Sequence, residues 1–114
     1  MKKPSGRRFN KGKPDFSLLP LHLLEPVARV WEMGAEKYDA WNWTNGMPWS
    51  TVYGCLMRHL AAHQKGETLD PESGQSHMAH VICNAMMLLY YEYAWPELDD
   101  RGPWMNNEEE PNDE

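Results

Sequence analysis

Residues 58–84 gather most of the chemistry that this chain's side chains can perform. Arg58-His59-Leu60, then Gly66-Glu67-Thr68-Leu69-Asp70-Pro71-Glu72-Ser73-Gly74, then His77-Met78-Ala79-His80 and Asn84 follow one another within 27 residues. That stretch holds four of the five histidines and three of the nine carboxylates that precede the acidic tail, so the titratable groups are concentrated and not spread over a surface. Hydrophobic spacing predicts the end of one helix, a short loop and the start of the next. A helix–loop–helix hairpin folds those two ends together. Imidazoles and carboxylates converging beside an arginine are what a divalent metal and a phosphate ester require.

Glu67 and Asp70 are three apart and can point one way if the loop continues as a helical turn. Hard oxygen ligands of that kind suit magnesium or manganese. The plain alternative is that Asp70 only caps the DPESG turn. His77, His80 and Asn84 follow at spacings of three and four, which places them on one helix face opposite His59 and His63. A single histidine on an apolar face is ordinarily a satisfied core residue. Several in register can ligate metal, contact phosphate or orient carboxylates. Glu32 and Glu36 sit at i and i+4 on an earlier helix, either as part of a solvated face paired with Arg29 or as the second half of a metal cage. Lys37 and Arg58 flank these acids and are placed to hold phosphate oxygens. Trp41, Trp43 and Trp49 can stack a nucleobase or plug a small core.

Three helical patterns must position these groups, and no strand alternation competes with them. The first is expected over residues 21–38, with Leu24, Ala28, Trp31, Ala35 and Tyr38 as its apolar stripe. A loop, AWNWTNGMPWS, follows. Ser50 is expected to cap a second helix that stops at Gly66, with Val52, Cys55, Leu56, His59, Leu60 and His63 on one face. The third begins near Ser76, ends before Pro96 and is apolar almost all round. Such a helix needs cover on most sides, so a homo-oligomer, a dimer or tetramer completing a helical bundle, is expected. The fold class is all-α.

At 114 residues the chain is one domain. A basic arm, 1–13, carries six Lys and Arg without an acid; an all-α domain spans 14–96; an acidic segment, 97–114, is expected to be a disordered tail. The middle holds nine acids against Arg29, Lys37, Arg58 and Lys65, which argues against a nucleic-acid binder. No apolar run is long enough to span a membrane, no secretory signal is visible, and Cys55 and Cys83 read as reduced buried thiols. A cytoplasmic location is therefore expected, and a structural zinc is disfavoured because the cysteines lack ligand spacing.

Taken in order, GKPDFSLLP, GAEKYDAWNW, RHL, GETLDPESG, HMAH and Asn84 resemble the phage-type dATP/dGTP diphosphohydrolase family in its N-terminal domain, over residues 11–93. That family is similar to the all-α MazG-like NTP pyrophosphohydrolases. The resemblance implies hydrolysis of a (deoxy)nucleoside triphosphate, a purine one such as dGTP or dATP, to the monophosphate and pyrophosphate with Mg²⁺ or Mn²⁺, in the host cytoplasm if phage-encoded. The MazG-like pattern pairs an ExxE on one helix with an ExxD on the next. Glu67-x-x-Asp70 matches the second half, whereas the first helix offers Glu32-x-x-x-Glu36. The expected metal ligands are Glu67 and Asp70, then Glu36 and Glu32. His59 and His77 would join Glu67 and Asp70 in catalysis, and Lys13, Lys37, Arg58, His80, Asn84 and Trp43 would bind substrate. The rival reading is a protein that sequesters nucleotide in the same pocket without turnover.

Overall fold

A computed structural model describes residues 1–105 of the 114. Among them stand three α-helices, α1 (Glu25–Tyr38), α2 (Trp49–Gln64) and α3 (His77–Ala94), with short 3₁₀ turns between and around them and no strand beyond one isolated bridge. The fold is all-α with three main helices, as the periodicity predicts.

The α2–α3 pair forms the most extensive helix contact, and α1 packs across α3. One apolar cluster joins Val27 and Val30 of α1 to Ala79 and Cys83 of α3, with Trp31 at its side. Small residues on α3 let α1 approach closely, and two β-branched valines fill the contact. The stripe expected on α1 is therefore rotated: Leu24, Ala28 and Tyr38 are exposed, and Val27 and Val30 face inward. Leu24 falls in the 3₁₀ turn Leu21–Leu24 that precedes the helix, where helical periodicity does not apply.

The second cluster closes the other end of the hairpin. Trp49, Val52 and Tyr91 are buried there, with Trp43, Met47, Met87, Leu88, Tyr90, Trp95 and Leu98 around them. Its polar atoms are tied to backbone carbonyls: Tyr91 Oη donates to Trp43 O at 2.6 Å, Trp49 Nε1 to Trp95 O at 3.1 Å, and Trp95 Nε1 to Thr44 O at 2.9 Å. These bonds let large aromatic rings be buried without stranding a donor.

The start of α2 differs in detail from the sequence expectation, whereas its end at Gly66 agrees with it. The helix begins at Trp49, so Ser50 lies in its first turn and is not the cap. Asp100 does the capping from outside, accepting from Ser50 N at 2.8 Å and from Ser50 Oγ at 2.6 Å. The start of the acidic segment thus folds back onto α2, and Arg101 lies over the Trp49 ring. The remainder of that segment, 106–114, lies outside the described residues. At the other end, Gly66 takes φ 108°, Gly66 N donates to His63 O and Glu67 N to Ala62 O, both at 3.0 Å. This is a Schellman stop, and it needs glycine.

Tyr91→Phe should leave the helices in place and lower stability by about 1–3 kcal/mol, because the Trp43 carbonyl loses its donor in a buried setting. Urea denaturation of the two proteins followed by circular dichroism measures it; an unchanged midpoint would show that the bond contributes nothing.

Candidate functional site

The loop between α2 and α3 is a small hairpin built to carry side chains. Leu69 and Ser76 form an antiparallel bridge, Asp70 N donates to Gln75 O at 2.8 Å, and His77 N donates to Thr68 O at 2.9 Å. Gly74, at φ 73°, donates its N–H to Asp70 O at 2.8 Å and closes the turn. Asp70 Oδ2 accepts from Ser73 N at 2.9 Å, so Asp70 does cap this turn, as one of its two readings has it. Ser76 caps α3 by accepting from Met78 N at 3.0 Å.

This framework brings five of the expected residues into one cluster. His59 Nδ1 lies 2.8 Å from His77 Nδ1. His77 Nε2 lies 3.1 Å from Glu67 Oε1, and His80 Nε2 lies 3.5 Å from Asp70 Oδ2. The His59 and His80 rings stack face to face, 4.2 Å between centroids and 8° apart. One ligand atom from each of His59, Asp70 and His77 lies within 4.8 Å of the other two. His77 and His80 are buried, at 3% and 7% exposure, whereas the Glu67 side chain is 46% exposed and connects the cluster to solvent.

The surroundings favour the neutral form of His59 and His80. Burial lowers the His59 pKa, and the nearby His80 and His77 rings lower it further against the pull of Asp70. Burial also lowers that of His80, with Asp70 opposing and His77 assisting. For Asp70, burial works to raise the pKa, but the Ser73 hydrogen bonds with His80 and His59 outweigh it and hold the carboxyl below the usual range. Neutral imidazoles beside an ionised carboxylate are the protonation states that metal ligation requires. Cys83, by contrast, is pushed by burial up to about 12 and stays an inert thiol; both cysteines are free.

The other sequence candidates fall elsewhere. Asn84 is buried between the helices, where its Nδ2 donates to His80 O at 2.8 Å and lies 3.6 Å from Cys55 Sγ. Lys37 pairs with Glu72 at 3.0 Å, which ties the end of α1 to the hairpin loop. Glu32 pairs with Arg29 at 3.3 Å on an exposed face, and Glu36 is exposed; neither joins a three-ligand group among the described residues. Arg58 is exposed beside His59, Lys13 is exposed in the basic arm, and His63 faces solvent. Trp43 is wedged between Trp31 and Tyr90, at centroid separations of 5.0 and 5.2 Å. Tyr90 lies about 20 Å along α3 from His77 at 1.5 Å per residue. Ser73 is the residue that sequence reasoning missed: its Oγ sits 2.7 Å from His80 Nε2. The signal was present in Asp70-x-x-Ser73, the spacing of a side-chain-capped turn.

The sign of the histidine shifts sets a pH dependence. Folded-state pKa values below the unfolded value of about 6.5 mean that the unfolded chain binds protons more readily, so stability is fully present above that pH and falls as pH drops through the window beneath it. In metal-free buffer the urea midpoint should decline between pH 7.5 and 5, and His80→Leu should flatten the decline. A midpoint that rises on acidification would contradict the neutral assignment.

A family profile described as dATP/dGTP diphosphohydrolase, N-terminal, matches residues 3–101. A Salmonella phage PMBT28 protein named dATP/dGTP diphosphohydrolase is 32% identical over 97 residues, covering 85% of this chain and 33% of the relative. The chain thus spans about a third of that relative's length. No solved structure matches it significantly. All of the clustered residues fall inside the matched span, and the chain belongs to the family described as dATP/dGTP diphosphohydrolase, N-terminal.

Proposed function

We propose that the chain hydrolyses a purine deoxynucleoside triphosphate, dGTP or dATP, to the monophosphate and pyrophosphate with the help of a divalent metal, Mg²⁺ or Mn²⁺ in the first expectation. The observation that carries this reading is the convergence of His59, Asp70, His77 and Glu67 in a member of this family. The name of the phage relative supports a hydrolase acting on such nucleotides. In the reaction, a water oxygen bonds to the α-phosphorus while the bond from that phosphorus to the α–β bridging oxygen breaks, and pyrophosphate departs. A divalent ion at the cluster would supply positive charge beside the phosphates and acidify a water.

The chain's own groups supply the rest. Glu67 faces both His77 and solvent, so it can take the proton that the attacking water loses. Lys37 and Arg58 lie on the helices that carry or flank the hairpin, and Lys13 lies on the basic arm; these are the cations available to the phosphates. Lys37 would have to exchange Glu72 for a phosphate oxygen, a small cost for an exposed pair. Incubating the chain with each of the four dNTPs plus Mn²⁺ or Mg²⁺, with product analysis by ³¹P NMR, tests the reading. Monophosphate and pyrophosphate from dGTP or dATP are expected. Triphosphates returned intact while they raise the melting temperature would identify a sequestering protein instead. Asp70→Asn and Glu67→Gln should each reduce turnover on the order of 10²-fold or more with the helical spectrum retained, extending from the roughly 10–100-fold cost of losing groups that only support a metal.

The assembly belongs to the same reading. Ile82, Met86, Leu89 and Tyr93 recur at spacings of four, three and four on α3, and all four are exposed, Leu89 at 64% and Tyr93 at 76%. A continuous apolar stripe of that kind is an association surface in a soluble chain. No helix among the described residues is long and apolar enough to cross a membrane, and the reading that fits the stripe is a second copy of the chain packed on it. Sedimentation at micromolar concentration should give a dimer or larger, and Leu89→Glu should shift it toward monomer; a wild-type monomer would defeat the argument.

A further inference from the structure

The ligand types and geometry of the cluster narrow the kind of metal that it can hold. A carboxylate oxygen only accepts, so His77 Nε2, 3.1 Å from Glu67 Oε1, carries the ring's proton. Its other nitrogen, Nδ1, faces His59 Nδ1 at 2.8 Å. His59 is stacked flat on His80, which fixes the plane of its ring. One ligand atom from each of His59, His77 and Asp70 lies within 4.8 Å of the other two, which makes a compact set of two imidazoles and one carboxylate. Ligand atoms around one ion lie about 3–3.5 Å apart at metal–ligand bonds of about 2.1 Å, so side-chain rotation of roughly an ångström brings all three into range.

We propose that His59, Asp70 and His77 bind a first-row transition-metal ion such as Mn²⁺, Co²⁺ or Zn²⁺ in preference to Mg²⁺, with Glu67 as the positioning residue for His77. Magnesium demands oxygen ligands in a near-ideal octahedron, whereas imidazole nitrogen suits the transition ions, and two histidines with one carboxylate is a recognised set for them. Glu67 acts on His77 as carboxylates act on metal-bound histidines elsewhere: it fixes the tautomer and ring orientation and makes the free nitrogen more basic. Ser73 and the Asp70 turn hold the third ligand in place. The inference shares its site with the hydrolase reading, yet it stands or falls on metal binding alone.

Titration of the chelator-treated full chain with Co²⁺ tests it directly. Visible ligand-field bands should saturate at one ion per chain and persist in a large excess of Mg²⁺. His59→Leu and Asp70→Asn should weaken Co²⁺ binding at least 10-fold, and Glu67→Gln about 10–100-fold with the stoichiometry kept. Because a histidine variant can misfold, the wild type should also be loaded with Mn²⁺ and examined by pulsed electron paramagnetic resonance, where imidazole ¹⁴N couplings are expected. Displacement of Co²⁺ by equimolar Mg²⁺, or bound Mn²⁺ without nitrogen coupling, overturns the proposal. Nitrogen-ligated metal without dNTP hydrolysis would keep this site and remove the hydrolase reading; Mg²⁺-supported hydrolysis without nitrogen coupling would do the reverse.

Discussion

Two imidazoles are buried at the point where α2 and α3 meet, and much of the local structure follows from having to satisfy them. Leaving a buried polar ring without partners costs several times what a made hydrogen bond returns. His77 finds His59 on one nitrogen and Glu67 on the other, while His80 finds Ser73 and the edge of Asp70. Apart from His59, those partners come from the loop, so the loop cannot be an arbitrary connection. The glycine stop at Gly66, the Leu69–Ser76 bridge and the Asp70 turn together place Glu67, Asp70 and Ser73 where the rings need them. Among the described residues no buried side-chain nitrogen or oxygen is left without a partner.

The α2–α3 hairpin divides its labour along its length. Its far end is an aromatic core in which Trp49, Val52 and Tyr91 are sealed and each polar atom is tied to a carbonyl. Its near end gives up apolar packing for imidazoles and a carboxylate, a local departure from the pattern of a stable core of the kind found at functional sites. The stability of the aromatic end and of the Val27–Cys83 contact offsets that departure. Rigid helices then hold the titratable groups within a few ångströms of one another. Positioning of this quality is what distinguishes a site from a set of polar residues.

Much of this was legible in the chain itself. Three helices, their approximate limits, the Gly66 stop, the start of the third helix near Ser76 and the concentration of chemistry in residues 58–84 follow from periodicity, capping chemistry and spacing, which are local properties. The block order that carries the family resemblance is local as well. The rotation of α1 was not legible, because the choice between Val27 with Val30 and Leu24 with Ala28 depends on the small residues that α3 presents, far away in sequence. Nor was the cap on α2, which Asp100 supplies across a separation of fifty residues.

The same distinction runs through the site. The residue types at 59, 67, 70, 77 and 80, and the helical register that puts His77 and His80 on one face of α3, are set by the sequence, since side-chain direction on a helix repeats every 3.6 residues. Which atom meets which is not. That Glu67 lies against one nitrogen of His77 while His59 faces the other, that Lys37 is drawn to Glu72, and that Asn84 turns inward toward Cys55 are outcomes of the α2–α3 crossing and of one tight loop. Such pairings depend on distances of a few ångströms between elements whose separation along the chain carries no information about their contact. They exist only once the helices have packed.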